Sequence, residues 1–227
     1  AYSTGWERFG SSLVHPVYLC KKHWEHGCGG KSEFRVIVGG VDIERCTPTR
    51  TKVQDKEKWG LDPKRPVVGF FGRFDMFKQP YSFIDIASII RGVRSDCQFI
   101  MFGGGHDHGR SIHLAKIAGL DIVFTGFTRD KASAFNCMDV YVFPTWQEAF
   151  GRVMPEAMVS GVPIVTNDYP VCRELCDSAA VYVEGERQDP MTIKASKRYA
   201  DATLNLLNDA DERVRMGEIG KARVIDL

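Results

Sequence analysis

Between residues 34 and 183, short apolar runs alternate with longer stretches of helical periodicity, and this alternation constrains the fold more than any other feature. Because most runs are nearly continuous in apolar residues, they indicate strands covered by helices on both faces. Such units predict an α/β fold with a doubly wound, parallel, Rossmann-like sheet, whose ligands bind beyond the carboxyl ends of the strands. The predicted strands are Phe34–Val38, Pro66–Phe71, Gln98–Phe102, Ile122–Phe124, Val140–Phe143, Pro163–Thr166 and Ala180–Val183.

Helical patterns bracketed by Gly, Pro or polar residues separate and follow these runs. The predicted helices are Pro80–Val93, Arg110–Ala118, Asp130–Met138, Arg152–Ser160, Pro170–Cys176, Met191–Leu207 and Glu212–Ala222. We therefore divide the chain into an extension or remnant of a preceding domain over 1–33, an α/β domain over 34–207, and a C-terminal helix and tail over 208–227.

Composition excludes several classes of function. The formal net charge is +1 and the Lys and Arg residues are scattered, so the basic surface of a nucleic-acid binder is missing. No apolar run approaches the ~20 residues that a membrane-spanning helix needs. Seven cysteines, an odd number, and the lack of a secretory signal predict free thiols in a reducing compartment. We expect a cytoplasmic chain, and peripheral membrane association stays open.

The loop after the predicted strand Pro66–Phe71 begins with Gly72 and carries Arg73 and Lys78 just before a helix that Pro80 can open. Arg supplies a planar fork for two phosphate oxygens and Lys a mobile charge, so together they can hold a diphosphate. Taken alone, however, this loop favours two solvated cations without a ligand.

The loop after the predicted strand Val140–Phe143 leads into a helix whose start is set by Pro155, because proline is tolerated only in a first helical turn. The free N–H groups of Gly151, Arg152 and Val153 would then form an anion pocket. This loop therefore predicts a second element of a diphosphate site.

Two glutamates flank this predicted anion pocket. Glu156, in the first helical turn, could accept both hydroxyls of a ribose, and Glu148, eight residues earlier, could meet a sugar beyond the phosphates. Alternatively, they are an ordinary helix-start acid and a solvated loop acid. A glycosidase-like acid pair is disfavoured, because such enzymes need both carboxylates on one bond and here a phosphate-type helix start lies between them.

The segment from Glu148 to Val165 resembles the E-x7-E signature of the retaining glycosyltransferase family 4, within the GT-B superfold. Companion motifs occur in the family's order: Gly39-Gly40-Val41-Asp42, Gly72-Arg73 with Lys78, Gly103-Gly104-Gly105, and Phe124-Thr125-Gly126-Phe127. The resemblance spans roughly residues 34 to 207 and covers only the C-terminal, donor-binding half of a GT-B enzyme.

The resemblance implies an enzyme that transfers a sugar from a nucleotide-sugar donor with retention of anomeric configuration, without a metal or other cofactor. Arg73 and Lys78 would hold the diphosphate and Glu156 the ribose, and the segment from Gly126 through Phe127 to Thr128 would line the base pocket. The implied catalytic residues are Glu148, Arg73 and Lys78. The implied donor site comprises Gly72, Arg73, Lys78, Gly126, Phe127, Thr128, Glu148, Phe150, Gly151, Arg152, Val153 and Glu156.

The acceptor, a glycan, lipid or small molecule, would bind the family's N-terminal domain, which this sequence does not contain. We therefore expect this chain alone to bind the donor and to show little or no transfer, because the second domain must close over the donor. The sequence departs from the family at Gln79, where glycine is common. It also departs at Arg152, where a small apolar residue is usual; Arg152 could add to the phosphate clamp or point into solvent.

Two alternative functions stay open: a nucleotide-sugar 2-epimerase of the same architecture, against which the E-x7-E segment argues, and a catalytically silent nucleotide-binding domain. The glycine turn at 103–105 lacks the G-x-G-x-x-G spacing, which disfavours NAD. A helix cap explains Asp209-Ala210-Asp211 better than a metal site does, and Cys172 and Cys176 are expected to be core or half-buried thiols.

A compact cysteine and histidine group is the remaining metal candidate. Cys20, His23, His26 and Cys28 could ligate zinc, but the spacing is crowded, so we favour residues of an extension without a metal. Three further histidines follow the glycine turn at 103–105 and are expected to be neutral loop residues, although the first could approach a ligand: His106, His108 and His113.

Overall fold

The computed structural model describes residues 17–18, 35–36, 39–146, 148–184 and 193–227. Its core is a six-stranded parallel sheet in the order β5-β4-β3-β6-β7-β8. The strands are β3 (Val67–Phe71), β4 (Gln98–Phe102), β5 (Ile122–Gly126), β6 (Val140–Phe143), β7 (Ile164–Asn167) and β8 (Ala180–Val183). A separate parallel pair joins β1 (Val17–Tyr18) to β2 (Arg35–Val36).

Helices cover both faces of the sheet. Their bounds are α1 (Ile43–Cys46), α2 (Lys52–Lys58), α3 (Pro80–Val93), α4 (His108–Ile117), α5 (Lys131–Asn136), α6 (Val153–Val159), α7 (Pro170–Cys176), α8 (Ile193–Asn208) and α9 (Ala210–Ile225), with a 3₁₀ turn at Asp177–Ala179. Alternate residues of β3 enter two cores: Val67 and Phe71 pack in the core with α5, α6 and α7, and Val68 and Phe70 in the core with α3 and α8. The fully buried strand therefore explains the continuous apolar run.

The strand order places a topological switch point between β3 and β6. The chain builds outward from β3 to β4 and β5, and the crossover helix α5 then returns it to β6 on the other side of β3. Open α/β sheets bind their ligands in a crevice beyond the carboxyl ends of the strands at such a point, and the loops that follow β3 and β6 lie there. Both loops that were singled out in the sequence lie at this edge.

The predicted α/β class and parallel sheet are confirmed, and the strands predicted between residues 66 and 183 form within two residues of their expected bounds. The prediction that Phe34–Val38 would belong to the same sheet is wrong, because its described part, β2, pairs with β1 instead. The boundaries of the proposed domain over 34–207 stay a prediction.

Two helices of the described region, α1 and α2, were not predicted because they are short and polar and lack an apolar period. A signal for α2 was nevertheless present: Thr51 and Gln54 form a capping box, in which each side chain accepts a hydrogen bond from the other residue's backbone N–H. The cap predicted near the C terminus is confirmed, since the Oδ1 atom of Asp209 accepts a hydrogen bond from the N–H of Glu212 at 2.9 Å.

Candidate functional site

The loops that follow β3 and β6 are bonded to one another at the switch point. The backbone N–H of Trp146 and the hydroxyl of Thr145 both donate to the carbonyl of Phe77, at 3.2 and 3.0 Å. The indole N–H of Trp146 donates to the carbonyl of Met76 at 2.8 Å, and the rings of Phe77 and Trp146 stack with centroids 5.7 Å apart. The two loops therefore form one rigid wall.

A buried ion pair crosses this wall. The Lys78 Nζ atom pairs with the Glu148 Oε1 atom, and the two side chains are only 16% and 8% exposed. The hydroxyl of Thr145 lies 3.4 Å from the same carboxylate oxygen. The structure thus brings together two residues that the sequence predicted for one site, although their direct pairing was not foreseen.

The residue after Lys78 has a left-handed backbone conformation. Gln79 has φ 58° and ψ 52°, a region that non-glycine residues seldom adopt. Its amide Nε2 donates to the carbonyl of Met76, and its Oε1 atom accepts a hydrogen bond from Ser82 at 3.1 Å. Asp75 closes the turn by accepting from the N–H of Lys78 at 3.0 Å. The departure from glycine is thus supported by local hydrogen bonds.

Arg73 lies apart from that buried pair. Its side chain is 73% exposed, and its Nη2 atom forms a 2.9 Å ion pair with the Oδ2 atom of Asp75. The backbone next to it is tightly packed, because a Cβ atom at Gly103 would lie 1.9 Å from the carbonyl oxygen of Gly72. Arg73 therefore presents a cation on the rim of the crevice, and its contact with phosphate stays a prediction.

The loop after β6 turns at Gly151, and α6 begins at Val153, one residue after the predicted helix start at Arg152. Gly151 has φ 76°, and a Cβ atom there would lie 2.5 Å from Met154 Cε, so both conformation and space favour glycine. Arg152 is exposed, which agrees with a side chain that points into solvent, and its contact with phosphate stays a prediction. Val153 is the first helical residue. Phe150 is buried against Gly39, where a Cβ atom would lie 2.8 Å from its ring.

A second lysine–glutamate pair lies at the start of α6. Glu156 is 3% exposed, and its Oε1 atom is 2.5 Å from the Nζ atom of Lys131, the first residue of α5. Within the described part of the chain, no group hydrogen-bonds the buried Oε2 atom. Sequence reasoning missed Lys131, although a lysine at a helix start, where the macrodipole disfavours a cation, was a usable signal.

The charges of the two glutamates both act on a buried phenol, that of Tyr141. The hydroxyl of Tyr141 on β6 donates to the carbonyl of Phe71 at 2.8 Å. Burial raises the pKa of Tyr141 well above its ordinary value, and the nearby charges of Glu148 and Glu156 raise it further. Both carboxylates therefore act on the same point beneath the crevice.

The segment predicted to line a base pocket forms the turn from β5 into α5. Gly126 ends β5 with φ 72°, and its carbonyl accepts from the N–H of Gly103 at 2.8 Å. Phe127 is 80% exposed, so its ring face is open to solvent. The hydroxyl of Thr128 accepts from the N–H of Asp130 at 3.1 Å.

The histidines after the glycine turn take different positions. His106 and His113 are exposed, and His106 lies 3.1 Å from the carboxylate of Asp107. His108 begins α4 and packs against Phe74, with ring centroids 5.2 Å apart, and His113 lies within α4. The prediction of loop residues is therefore wrong for His108 and His113, which belong to the helix that follows the glycine turn.

The five described cysteines are all free and buried, as expected of thiols in the core: Cys46, Cys97, Cys137, Cys172 and Cys176. Burial raises the pKa of the Cys172 thiol to about 12. The candidate zinc group Cys20, His23, His26 and Cys28 lies outside the described residues. In the residues that the structure does describe, no group of three or more His, Cys, Asp or Glu side chains is placed to hold a metal ion, and no helix has the length and apolarity to cross a bilayer.

The sheet order, covering helices and switch-point crevice define a domain of the GT-B glycosyltransferase type, and solved structures share this fold. The C-terminal domain of the glycosyl transferase group 1 family protein LpcC from Francisella tularensis matches with a TM-score of 0.68 and 25% identity, over 82% of this chain and 97% of that one. HepE of Anabaena, solved with UDP and glucose, matches with a TM-score of 0.76 and 20% identity, over 92% of this chain and 58% of that one.

Sequence comparison identifies the family. Residues 65–209 match the family model of the glycosyl transferases group 1, and the chain belongs to this family. The lipopolysaccharide core biosynthesis mannosyltransferase LpsB of Rhizobium meliloti is 29% identical over 83% of this chain and 54% of its own length. A GDP-mannose-dependent alpha-mannosyltransferase of Mycolicibacterium smegmatis is 33% identical over 60% of this chain and 34% of its own length. The chain thus spans about half or less of these two relatives.

Proposed function

We propose that this chain binds the nucleotide-sugar donor of a glycosyltransferase that transfers the sugar with retention of anomeric configuration. One observation carries the proposal: at the switch point, Lys78 and Glu148 converge from neighbouring strands as a buried pair. Glu156 lies in the first turn of the helix that follows the same loop, and its buried Oε2 atom has no hydrogen-bond partner among the described residues. A sugar linked to a nucleoside diphosphate offers a matching partner to each group: the phosphates to the cation, a sugar hydroxyl to Glu148 and a ribose hydroxyl to Glu156.

The cations would serve the diphosphate. The positive charge of Lys78, beside Glu148, can attract a phosphate oxygen, and Arg73 on the rim adds a planar fork. When the bond between the sugar and the diphosphate breaks, negative charge grows on the leaving phosphate. Two fixed cations stabilise that charge, so we propose that no metal ion is required for donor binding.

The carboxylates would orient the two sugars of the donor. Glu148 lies beside the cation that holds the diphosphate, where it can accept a hydroxyl of the transferred sugar. Glu156 offers Oε2 to a ribose hydroxyl, because that atom is buried and has no partner among the described residues. Phe127, with its exposed ring at the neighbouring loop, is the proposed contact for the base.

The comparisons support a nucleotide diphosphate sugar as the donor class. HepE was solved with UDP and glucose, and the Mycolicibacterium relative is named as dependent on GDP-mannose. Because the curated relatives are longer, we propose that the acceptor, a glycan, lipid or small molecule, binds an N-terminal domain of the whole protein. A cytoplasmic location, with peripheral membrane association left open, is also proposed; the free, buried cysteines are those of a chain in a reducing compartment.

Ligand binding by this chain tests the proposal. UDP, GDP and ADP are each titrated with and without EDTA, and binding is followed by calorimetry and thermal unfolding. We expect one of them to bind, and at ten times its Kd to stabilise the fold by about 1.4 kcal/mol. Glu156→Ala and Arg73→Ala should weaken that binding. If none of the three perturbs the protein at millimolar concentration, the proposal fails; binding that EDTA abolishes contradicts the metal-free part alone.

A further inference from the structure

One oxygen of the Glu156 carboxylate has a partner and the other has none among the described residues. Its Oε1 atom is 2.5 Å from the Lys131 Nζ atom, whereas Oε2 is buried and has no hydrogen-bond partner among the described residues. The residue as a whole is 3% exposed, so Oε2 has little access to bulk water. A buried polar atom without a partner is costly, which indicates that a ligand supplies the missing bond.

Lys131 makes this arrangement possible. Its ammonium bonds the Oε1 atom, so Oε1 is occupied and Oε2 is the carboxylate oxygen that is left for a ligand. A hydroxyl group has an O–H donor that can bond such an oxygen.

The backbone of Lys131 is fixed by the residues beneath it. Asp130 caps α5 by accepting a hydrogen bond from the N–H of Ser133 at 3.1 Å, and the same aspartate pairs with Lys58. The hydroxyl of Ser133 donates to the buried carboxylate of Asp55 on α2 at 2.7 Å. The start of α5 is thus anchored to α2, so the ammonium approaches Glu156 from a set direction.

The position of Lys131 also argues for a dedicated role. A lysine in the first turn of a helix opposes the macrodipole, and an ordinary helix would carry an acid there. Asp130, the N-cap of α5, supplies the acid at this helix terminus, whereas the Lys131 ammonium pairs with Glu156 on another helix. The ion pair of Lys131 therefore connects α5 to the candidate site.

We infer that Lys131 is a positioning residue for ribose specificity: it holds Glu156 so that Oε2 accepts a hydroxyl group of the nucleotide's ribose. The inference rests on the proposed function and adds to it a residue from the crossover helix. A deoxyribose would leave Oε2 buried without a partner, so we expect it to bind about 10-fold to 100-fold more weakly.

The test compares ribose with deoxyribose. The nucleoside diphosphate that binds best is titrated by calorimetry beside its 2′-deoxy and 3′-deoxy forms. For the wild-type chain we expect at least one deoxy form to bind about tenfold more weakly or worse. In Lys131→Met this ratio should fall below about threefold, and Lys131→Arg should restore it, because arginine keeps the charge.

A control variant distinguishes the loss of Lys131 at its own position from the loss of a lysine elsewhere on the protein. Lys197→Met removes a lysine–aspartate pair on the exposed face of α8, with side chains 65% and 52% exposed. It should leave the ratio of the two affinities unchanged. Thermal unfolding of each variant shows whether a change in ratio accompanies a change in stability, which a purely structural role of Lys131 would require.

A double variant covers the case in which Lys131→Met does not fold. The Lys131→Met, Glu156→Gln variant leaves no lone charge buried, so it should fold, and its ratio should equal that of Glu156→Gln alone. Retention of the wild-type ratio by Lys131→Met, or a further change in the double variant, overturns the inference. A wild-type chain that binds the nucleotide but ignores both hydroxyls overturns it too and leaves the proposed function intact; a chain that binds no nucleotide overturns both.

Discussion

Two lysine–glutamate pairs lie at the carboxyl edge of one sheet, and they differ in where the lysine comes from. Lys78 belongs to the loop after β3 and meets Glu148 from the adjacent strand β6. Lys131 begins α5, the crossover from the edge strand β5, and meets Glu156 on α6. In the proposed site, Lys78 can share its charge with the diphosphate, whereas Lys131 is committed to orienting a carboxylate. In this proposal Lys78 supplies positive charge to the diphosphate, whereas Lys131 sets the direction of the Glu156 carboxylate.

The largest expected effect comes from Lys78. Lys78→Met removes the cation proposed to bind the phosphates and leaves the buried Glu148 carboxylate without its counter-ion. We expect about 100-fold weaker binding of the nucleoside diphosphate and a loss of about 3 kcal/mol in the free energy of unfolding. Calorimetry and chemical denaturation measure the two quantities.

Inorganic pyrophosphate sharpens the contrast between the pairs, because it carries the diphosphate without the ribose. As a competitor of the nucleotide it should lose affinity in Lys78→Met and keep it in Lys131→Met. Equal losses in both variants would contradict the division of roles. Lys197→Met, on the exposed face of α8, should change stability by less than about 0.5 kcal/mol.

A third pair, away from the crevice, should affect stability without affecting binding. Asp139, just before β6, accepts from Lys56 Nζ at 2.7 Å and from the N–H of Val67 at 2.9 Å. Asp139→Asn leaves the nearly buried Lys56 ammonium without its counter-ion, so we expect a loss of about 2 to 4 kcal/mol. Nucleotide affinity should stay within about twofold, and a larger change would place this pair in the site.

Acid should weaken the wild-type protein through the same residue. Burial would raise the pKa of Asp139, but the charges of Lys52 and Lys56 outweigh it and hold the pKa below its ordinary value. The stabilisation is therefore present above pH ~4 and is lost as pH falls through the lowered pKa. Denaturation between pH 6 and 3 should show a steeper decline for the wild-type chain than for Asp139→Asn; parallel declines would be the contrary result.

Among the residues proposed to contact the nucleotide, Arg73 is expected to have the smallest effect on stability. Because its side chain is largely exposed, Arg73→Ala should change the free energy of unfolding by less than about 0.5 kcal/mol. Nucleotide affinity should fall about tenfold, and by less at high salt, since exposed charges are screened. A variant with unchanged affinity at low salt would make Arg73 a solvated loop cation, the alternative that this loop taken alone favoured.

The sequence was informative about the candidate site where its residues lie close together along the chain. Glu148, Gly151, Pro155 and Glu156 lie on one loop and helix, so their spacing alone predicted a helix start with a carboxylate on each side. Lys131 could not be connected to Glu156 in this way. The contact exists only because α5 crosses the sheet and packs against α6, which no local pattern reports.

The unpredicted parts of the fold have similar physical reasons. The left-handed conformation of Gln79 depends on hydrogen bonds to Met76 and Ser82, and glutamine has no intrinsic preference for it. The short helix α2 is held by polar contacts, among them the Trp59 indole N–H to Ser133 at 3.0 Å, rather than by an apolar stripe. Periodicity detects burial, so it found the strands and missed helices fixed by polar bonds.

A crystal structure of this chain with its best-binding nucleoside diphosphate tests the central claim most directly. We expect phosphate oxygens within hydrogen-bonding distance of Lys78 Nζ and a ribose hydroxyl on Glu156 Oε2, with Lys131 still on Oε1. A nucleotide bound elsewhere, for example in the groove of about 520 Å³ lined by Ile43, Ser160 and Lys221, would contradict it.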